Sequence, residues 1–219
     1  MPTVLVTGAN RGIGLSLARI YLDRGDTVIG TSRGPAPELA AAGARVERLD
    51  VAEAGSVAGL DQALGDTRID LLLHNAGVLG QEQLDALDLD SIRHQFEVNA
   101  LGPLRLTAAL RHRLAPGATV AIVTSRMGSM TDNTSGGAYG YRMSKAAVNM
   151  AGRSLTHDLA GDGVAVVLLH PGWVKTGMTG GRGNWGPDEA AAGLVARIDE
   201  TSLDDSGRFV HADGTPLPW

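Results

Sequence analysis

Tyr141 and Lys145 stand four residues apart in the stretch YGYRMSKAA, residues 139–147. In a helix that spacing stacks both side chains on one face. A free tyrosine titrates at about 10, too high for a proton donor and acceptor near neutral pH. An ammonium fixed beside it stabilises the phenolate and moves it towards a useful range. Lysine suits that task, because its compact charge keeps donors for a second partner such as ribose hydroxyls. Tyr139 is six residues from Lys145, and helical periodicity sends it to another side. An incidental polar pair on an amphipathic helix would show the same spacing. Composition weighs against that reading: of 19 basic residues only Lys145 and Lys175 are lysines, so this chain builds its positive surface from arginine.

A second constellation lies at the other end. An apolar run, TVLVT (3–7), leads straight into TGANRGIG (Thr7 to Gly14) and then a helical pattern. Gly8, Gly12 and Gly14 allow a tight turn, close backbone approach to a diphosphate and close helix–strand packing, and the helix N-terminus offers free N–H groups. Asn10, Arg11 and Ile13 complete this loop.

The elements that must position both clusters alternate along the chain. Apolar runs at 3–7, 27–31, 44–50, 69–75, 118–124, 163–170 and 207–211 read as strands, several of them apolar on successive residues as in a parallel sheet covered on both faces. Helical patterns at 12–24, 53–64, 88–114, 140–161 and 187–199 lie between them. The expectation is a single α/β domain spanning 1–219, a Rossmann-type doubly wound parallel sheet of about seven strands with helices on both faces. The glycine-rich segment 171–186 follows a strand end, where such sheets bind ligands, and predicts a flexible substrate loop around 177–186.

The glycine spacing, T-G-x-x-x-G-x-G, resembles that of the short-chain dehydrogenase/reductase family, and four further motifs occur in family order. HNAG (74–77) resembles the family's N-N-A-G with His74 in place of the first Asn. VNALGP holds an asparagine at Asn99. VTSRMG (123–128) places Ser125 three residues before Gly128, and YRMSK matches Y-x-x-x-K. PGWVKT (171–176) matches the segment after the sixth strand. The resemblance covers nearly the whole chain and implies roles. Tyr141 would be the general acid/base, Ser125 would bind the substrate oxygen, Lys145 would tune Tyr141 and hold the nicotinamide ribose, and Asn99 would position water in a proton relay. Asp50 would bind the adenine, Asn75, Ala76 and Gly77 would line the adenosine ribose, Val174 and Thr176 would contact the carboxamide, and Val51, Pro171 and Gly172 would also bind the cofactor. Ser125 precedes Tyr141 by a slightly longer gap than is usual, which suggests a small insertion at 129–137; Ser129 is a rival that follows Gly128. Lys175 receives no role, and His74 reads as a cofactor-side or packing residue.

Cofactor choice has its own signal. The second strand ends in Ser32 and Arg33 with no acid before Glu38. A 2′-phosphate favours a planar cationic donor such as Arg33, with Arg11 as a second, so the reading is NADP(H) over NAD(H). The implied function is reduction of an aldehyde or ketone, or oxidation of the alcohol, on the C-factor-like or carbonyl-reductase branch. Met127, Met130, Trp173, Met178 and Trp185 could line an apolar pocket or pack in the core. A nucleotide-binding regulatory protein of the C-factor type is the alternative, and a nucleotide-sugar isomerase or dehydratase is a more distant one. The net charge of −5 offers no basic field for nucleic acid and no polybasic membrane patch. With no cysteine and no metal-ligand spacing, disulfides and thiolate metal sites are not expected. No basic n-region or membrane-length apolar run is present, so a cytoplasmic protein is expected, and the resemblance implies a homodimer or homotetramer through 88–114 and 140–161.

Overall fold

The computed structural model describes residues 1–219 and forms one parallel seven-stranded sheet in the order β3-β2-β1-β4-β5-β6-β7. The strands are β1 (Thr3–Val6), β2 (Thr27–Ser32), β3 (Arg45–Arg48), β4 (Ile69–His74), β5 (Leu114–Val123), β6 (Ala165–His170) and β7 (Arg208–His211). Alternate residues supply two cores. Val4, Val6, Leu71, Leu73, Ala121, Val123, Val167 and Leu169 face α1 (Gly12–Asp23) and α7 (Pro187–Asp199). Leu5, Leu72, Val120, Ile122 and Val166 face α3 (Ala54–Leu64), α5 (Gly102–Leu110) and α6 (Tyr139–Ala160). Burial on both sides is why these strands are apolar at successive positions. No helix is long and apolar enough to cross a membrane.

Two elements depart from the sequence expectation. A short helix α2 (Pro37–Ala41) starts on Pro37, and its Leu39 is fully buried over Gly30. The expected helix over 88–114 is interrupted: α4 (Leu89–Phe96) passes through a π-helical turn at Glu97–Leu101 into α5, and Leu114 already belongs to β5. Pro103 has no N–H to return to the Asn99 carbonyl, so the ordinary ladder cannot continue there, and Gly102 N–H bonds Glu97 O instead. The interruption falls on Asn99, one of the candidate site residues. The segment 171–186 is pinned at its neck, where Lys175 N–H donates to Trp185 O (2.9 Å) and Asn184 N–H to Trp173 O (2.8 Å). A 3₁₀ turn, Gly177–Thr179, lies inside it.

Candidate active site

Strand order reverses between β1 and β4, and the loops leaving these strands build the floor of a cleft. Thr7, which sequence reasoning assigned no function, ties them together. Its hydroxyl accepts from Asn75 N–H and Ala76 N–H, both at 3.0 Å. The Asn75 side chain donates back to Thr7 O (3.0 Å) and Gly8 O (3.1 Å), so it braces the glycine turn. Gly8 sits at φ +66 with Ala76 Cα 2.9 Å from where a β-carbon would be, and a β-carbon on Gly14 would overlap the Gly8 carbonyl oxygen. Only glycine permits this cradle.

The N-terminus of α1 opens onto the cradle with no side-chain cap and no acid in its first turn. Its free N–H groups and positive dipole end are therefore left for an external anion. Arg11 and Arg33 both line the cleft and are exposed. Neither meets a carboxylate, whereas Arg19, Arg24 and Arg45 pair with Glu38, Asp199 and Glu47. Glu38, the nearest acid after β2, is thus turned towards α1. Ser32 is buried, and its hydroxyl bonds Gly34 O. Asp50 turns on itself, its carboxylate accepting from Ala52 N–H at 3.0 Å. These features fit a phosphorylated dinucleotide.

The cleft wall gathers Gly8, Asn10, Arg11, Gly12, Ile13, Gly14, Ser32, Arg33, Asp50, Val51, Asn75, Ala76, Gly77, Tyr141, Lys145, Pro171 and Thr176 from elements far apart in sequence. Asn99, Ser125, Gly172 and Val174 do not line the cleft. Val174 is buried, its carbonyl accepting from the Thr179 hydroxyl at 2.8 Å. Gly172, at φ +87, packs against Trp185. Met178 joins the wall, as do Thr31 and Leu49, which carry no motif signal, and Thr124, which precedes Ser125 in its motif. Of the other large apolar candidates, Trp185 packs on a core cluster, while Trp173 and Met130 are exposed.

At the catalytic end, Lys145 is buried; its Nζ donates to Val123 O at 3.0 Å and lies 5.7 Å from the Tyr141 ring centroid. Helical spacing does bring the pair together. The expected downward shift of the phenol is not what this pocket produces. Burial pushes Tyr141 above its ordinary value, only partly countered by the Ser125 hydroxyl. Burial also depresses Lys145, to about 8. Ser125 begins a 3₁₀ turn, Arg126–Gly128, and its Oγ accepts from Met127 N–H at 3.1 Å. Gly128 explains the motif's glycine: a β-carbon there would lie 2.7 Å from the Lys145 carbonyl carbon, so the turn carrying Ser125 rests directly on the helix carrying Lys145. The rival Ser129 is committed elsewhere, donating to Trp219 O (3.1 Å) and accepting from Asp132 N–H (3.1 Å).

Asn99 acts as a joint. Its Oδ1 accepts from Val78 N–H (2.9 Å), and its Nδ2 donates to Val78 O (2.8 Å) and the Ser144 hydroxyl (3.0 Å). The side chain thereby holds the loop after β4 to α6, leaving only its main chain for a water. His74 is fully buried against Thr107, Nε2 to Oγ1 at 2.8 Å, and burial depresses it to about 3, so it is a neutral packing residue. Lys175 is exposed and anchors the loop neck only through its backbone.

The depressed Lys145 has a consequence for stability. Between about pH 8 and 10.5 the unfolded chain keeps a proton that the folded chain has released, so folding stability rises with pH across that window. Tyr21 and Tyr141, both shifted upward, oppose the trend only above their unfolded value of 10.0. Urea unfolding should therefore show a gain on the order of 1–2 kcal/mol between about pH 8 and 9.5. Lys145→Met should flatten it; an unchanged slope in that variant would exclude Lys145 as the source.

Comparison with known proteins agrees with this geometry. The family model described as short chain dehydrogenase matches residues 2–186. A 1-hydroxy-2-glutathionyl-2-methyl-3-butene dehydrogenase of Rhodococcus sp. (strain AD45) is 49% identical over the full length of both chains. The C-signal protein of Myxococcus xanthus is 48% identical over 69% of this chain and 93% of its own. Among solved structures, an NADPH-bound carbonyl reductase from chicken fatty liver superposes with a TM-score of 0.90 at 30% identity, covering 100% of this chain and 99% of the other. A dinucleotide cradle at the switch point, a Ser–Tyr–Lys cluster at the strand ends and these relatives lead to one conclusion: the chain is an oxidoreductase of the short-chain dehydrogenase/reductase family, on its C-factor-like and carbonyl-reductase branch.

Proposed function

We propose that the protein is an NADPH-dependent carbonyl reductase in which Tyr141 is the general acid/base. The observation that carries this reading is the packing of Tyr141, Lys145 and Ser125 at the end of a cleft whose other end presents two unpaired arginines. NADPH, when bound, supplies the hydride for the carbonyl carbon. Arg33, with Arg11, would hold its 2′-phosphate, and the uncapped N-terminus of α1 would hold its diphosphate. The Ser125 hydroxyl orients the carbonyl oxygen. Tyr141 then donates its phenolic proton to the oxygen as negative charge develops there, so that hydride on carbon and proton on oxygen give the alcohol. A phenol held above its ordinary value stays protonated at neutral pH, the form that reduction needs. Lys145, cationic below about pH 8, stabilises the phenolate left behind.

The test is NADPH oxidation with a panel of aldehydes, ketones and quinones, run also in reverse with NADP⁺ and alcohols. A glutathione-bearing homoallylic primary alcohol belongs on the panel because of the Rhodococcus relative. Turnover on at least one member is expected. Tight NADPH binding with no turnover anywhere would favour the regulatory reading that the Myxococcus relative makes worth holding.

We further propose a homodimer or homotetramer. Leu101 at the end of the π turn, Leu104 on α5, and Met143 and Met150 on α6 are exposed, apolar and on the helices expected to pair. Sedimentation should give at least twice the 22.7 kDa chain mass; a monomer at micromolar concentration would overturn this.

A further inference from the structure

We propose that Glu82 is a positioning residue for the reaction: its carboxylate caps the first turn of α6 and fixes where Tyr141 delivers its proton. This rests on the carbonyl-reductase reading above. Glu82 belongs to the loop between β4 and α4, where its neighbours in GQEQLDALDLD look like a solvated acidic stretch. Its side chain is nevertheless buried, and no arginine, lysine or histidine pairs with it. A buried carboxylate without a cation is costly unless hydrogen bonds satisfy it.

Those bonds lead to α6. One oxygen accepts from Gly140 N–H at 3.2 Å. The other accepts from the Gln95 amide at 2.6 Å and the Ser91 hydroxyl at 2.8 Å. The Glu82 main-chain carbonyl also accepts from Ala138 N–H at 2.9 Å. Ala138 is the N-cap residue of α6, and its methyl group cannot cap; it is also the one non-glycine residue at positive φ, +47. Glu82 thus clamps a left-handed turn through its backbone and supplies through its side chain the acceptor that Ala138 lacks. The positive end of α6 stands in for a cation. Burial opposes ionisation, but the hydrogen bonds from Ser91, Gly140 and Gln95 outweigh it and hold Glu82 below the usual carboxylate range.

The clamp has no slack. Gly80 N–H donates to Gln95 Oε1 at 2.9 Å. A β-carbon on Gly80 would overlap the Glu82 carboxylate, and one on Gly140 would overlap the Gln95 amide and lie 3.0 Å from Ile92 Cα. Tyr141 directly follows Gly140. Displacing the first turn therefore displaces the phenol relative to Ser125, which sits on a different element.

Glu82→Gln isolates the cap: it keeps one oxygen for Ser91 and Gln95 and replaces the acceptor facing Gly140 N–H with an amide. We expect kcat to fall about tenfold, while KM for the carbonyl and Kd for NADPH stay within about twofold. Ser91→Ala, a milder change, should act in the same direction and guards against loss of folding. Carbon-13 labelling of the three tyrosines, with Tyr141→Phe for assignment, gives a readout independent of turnover. A displaced phenol loses the Ser125 hydroxyl that partly offsets its burial, so its titration in the NADP⁺ complex should move up in Glu82→Gln. Mere removal of a nearby negative charge would move it down. Unchanged kcat, a phenol titration that stays or falls, or a parallel loss of kcat, cofactor affinity and melting temperature would each overturn the proposal. Should the wild type reduce no carbonyl at all, the reductase reading fails, and the direction of the phenol titration alone still decides the role of Glu82.

Discussion

Tyr141→Phe should lower kcat for carbonyl reduction by about 10²–10⁴-fold, the usual range for loss of a positioned proton donor, with NADPH affinity within about twofold of wild type. Phenylalanine keeps the ring that lies 5.7 Å from Lys145 Nζ, so the local packing and the position of Lys145 are retained. Only the hydroxyl goes, and with it a group whose burial Ser125 offsets only in part. Rapid-mixing measurement of NADPH oxidation beside fluorescence titration of NADPH separates chemistry from binding. Turnover surviving at more than about a tenth of wild type would sink Tyr141 as the proton donor. The wild-type pH dependence should agree in sign: because the phenol is held above its ordinary value, reduction proceeds through neutral pH with the donor protonated, and the reverse oxidation gains as pH rises.

How much of this was legible in the sequence depends on whether a residue's role is set by local spacing or by what the fold folds onto it. Tyr141 and Lys145 meet through one helical turn, and Gly8, Gly12 and Gly14 act within one loop, so residue type and interval suffice. The parallel sheet follows similarly from strands apolar on both faces. Glu82 is the opposite case. Its burial comes from contacts with Gln95 and Gly140, 13 and 58 residues away, and nothing in its own neighbourhood separates it from a surface acid. The direction of the Tyr141 shift departs from the sequence expectation for a related reason. Helical spacing specifies that an ammonium is near, but desolvation depends on the whole pocket wall, and here it is the larger cause. The π turn had a visible signal, Pro103 four residues after Asn99, and reading its missing N–H against the Asn99 carbonyl would have found it. Asn99 also shows how the sequence can name a candidate residue while leaving its side-chain work hidden, since that work is tying Val78 to Ser144.

Arg33→Asp should reverse the cofactor preference, lowering kcat/KM for NADPH by about 100-fold or more and raising that for NADH. The argument begins with what surrounds the side chain. Arg33 follows β2 at the cleft edge, exposed and without a carboxylate partner, so an external phosphate can engage its guanidinium without breaking an internal pair. Two parallel charge-assisted hydrogen bonds are available to a planar fork on a phosphate, each about twice as strong as a neutral one. Aspartate at the same place removes them and adds repulsion against the 2′-phosphate, while offering an acceptor to a free ribose 2′-OH. Glu38, the nearest acid after β2, is turned instead towards Arg19 at 3.4 Å. Arg11 is the second unpaired cation on the wall, and Arg11→Ala alone should cost NADPH less than Arg33→Asp because charge is removed there but not reversed. Since neither residue touches Tyr141 or Lys145, kcat at saturating cofactor should change little in either variant. An Arg33→Asp enzyme that keeps its preference for NADPH would move phosphate recognition to Arg11 and the N-terminus of α1.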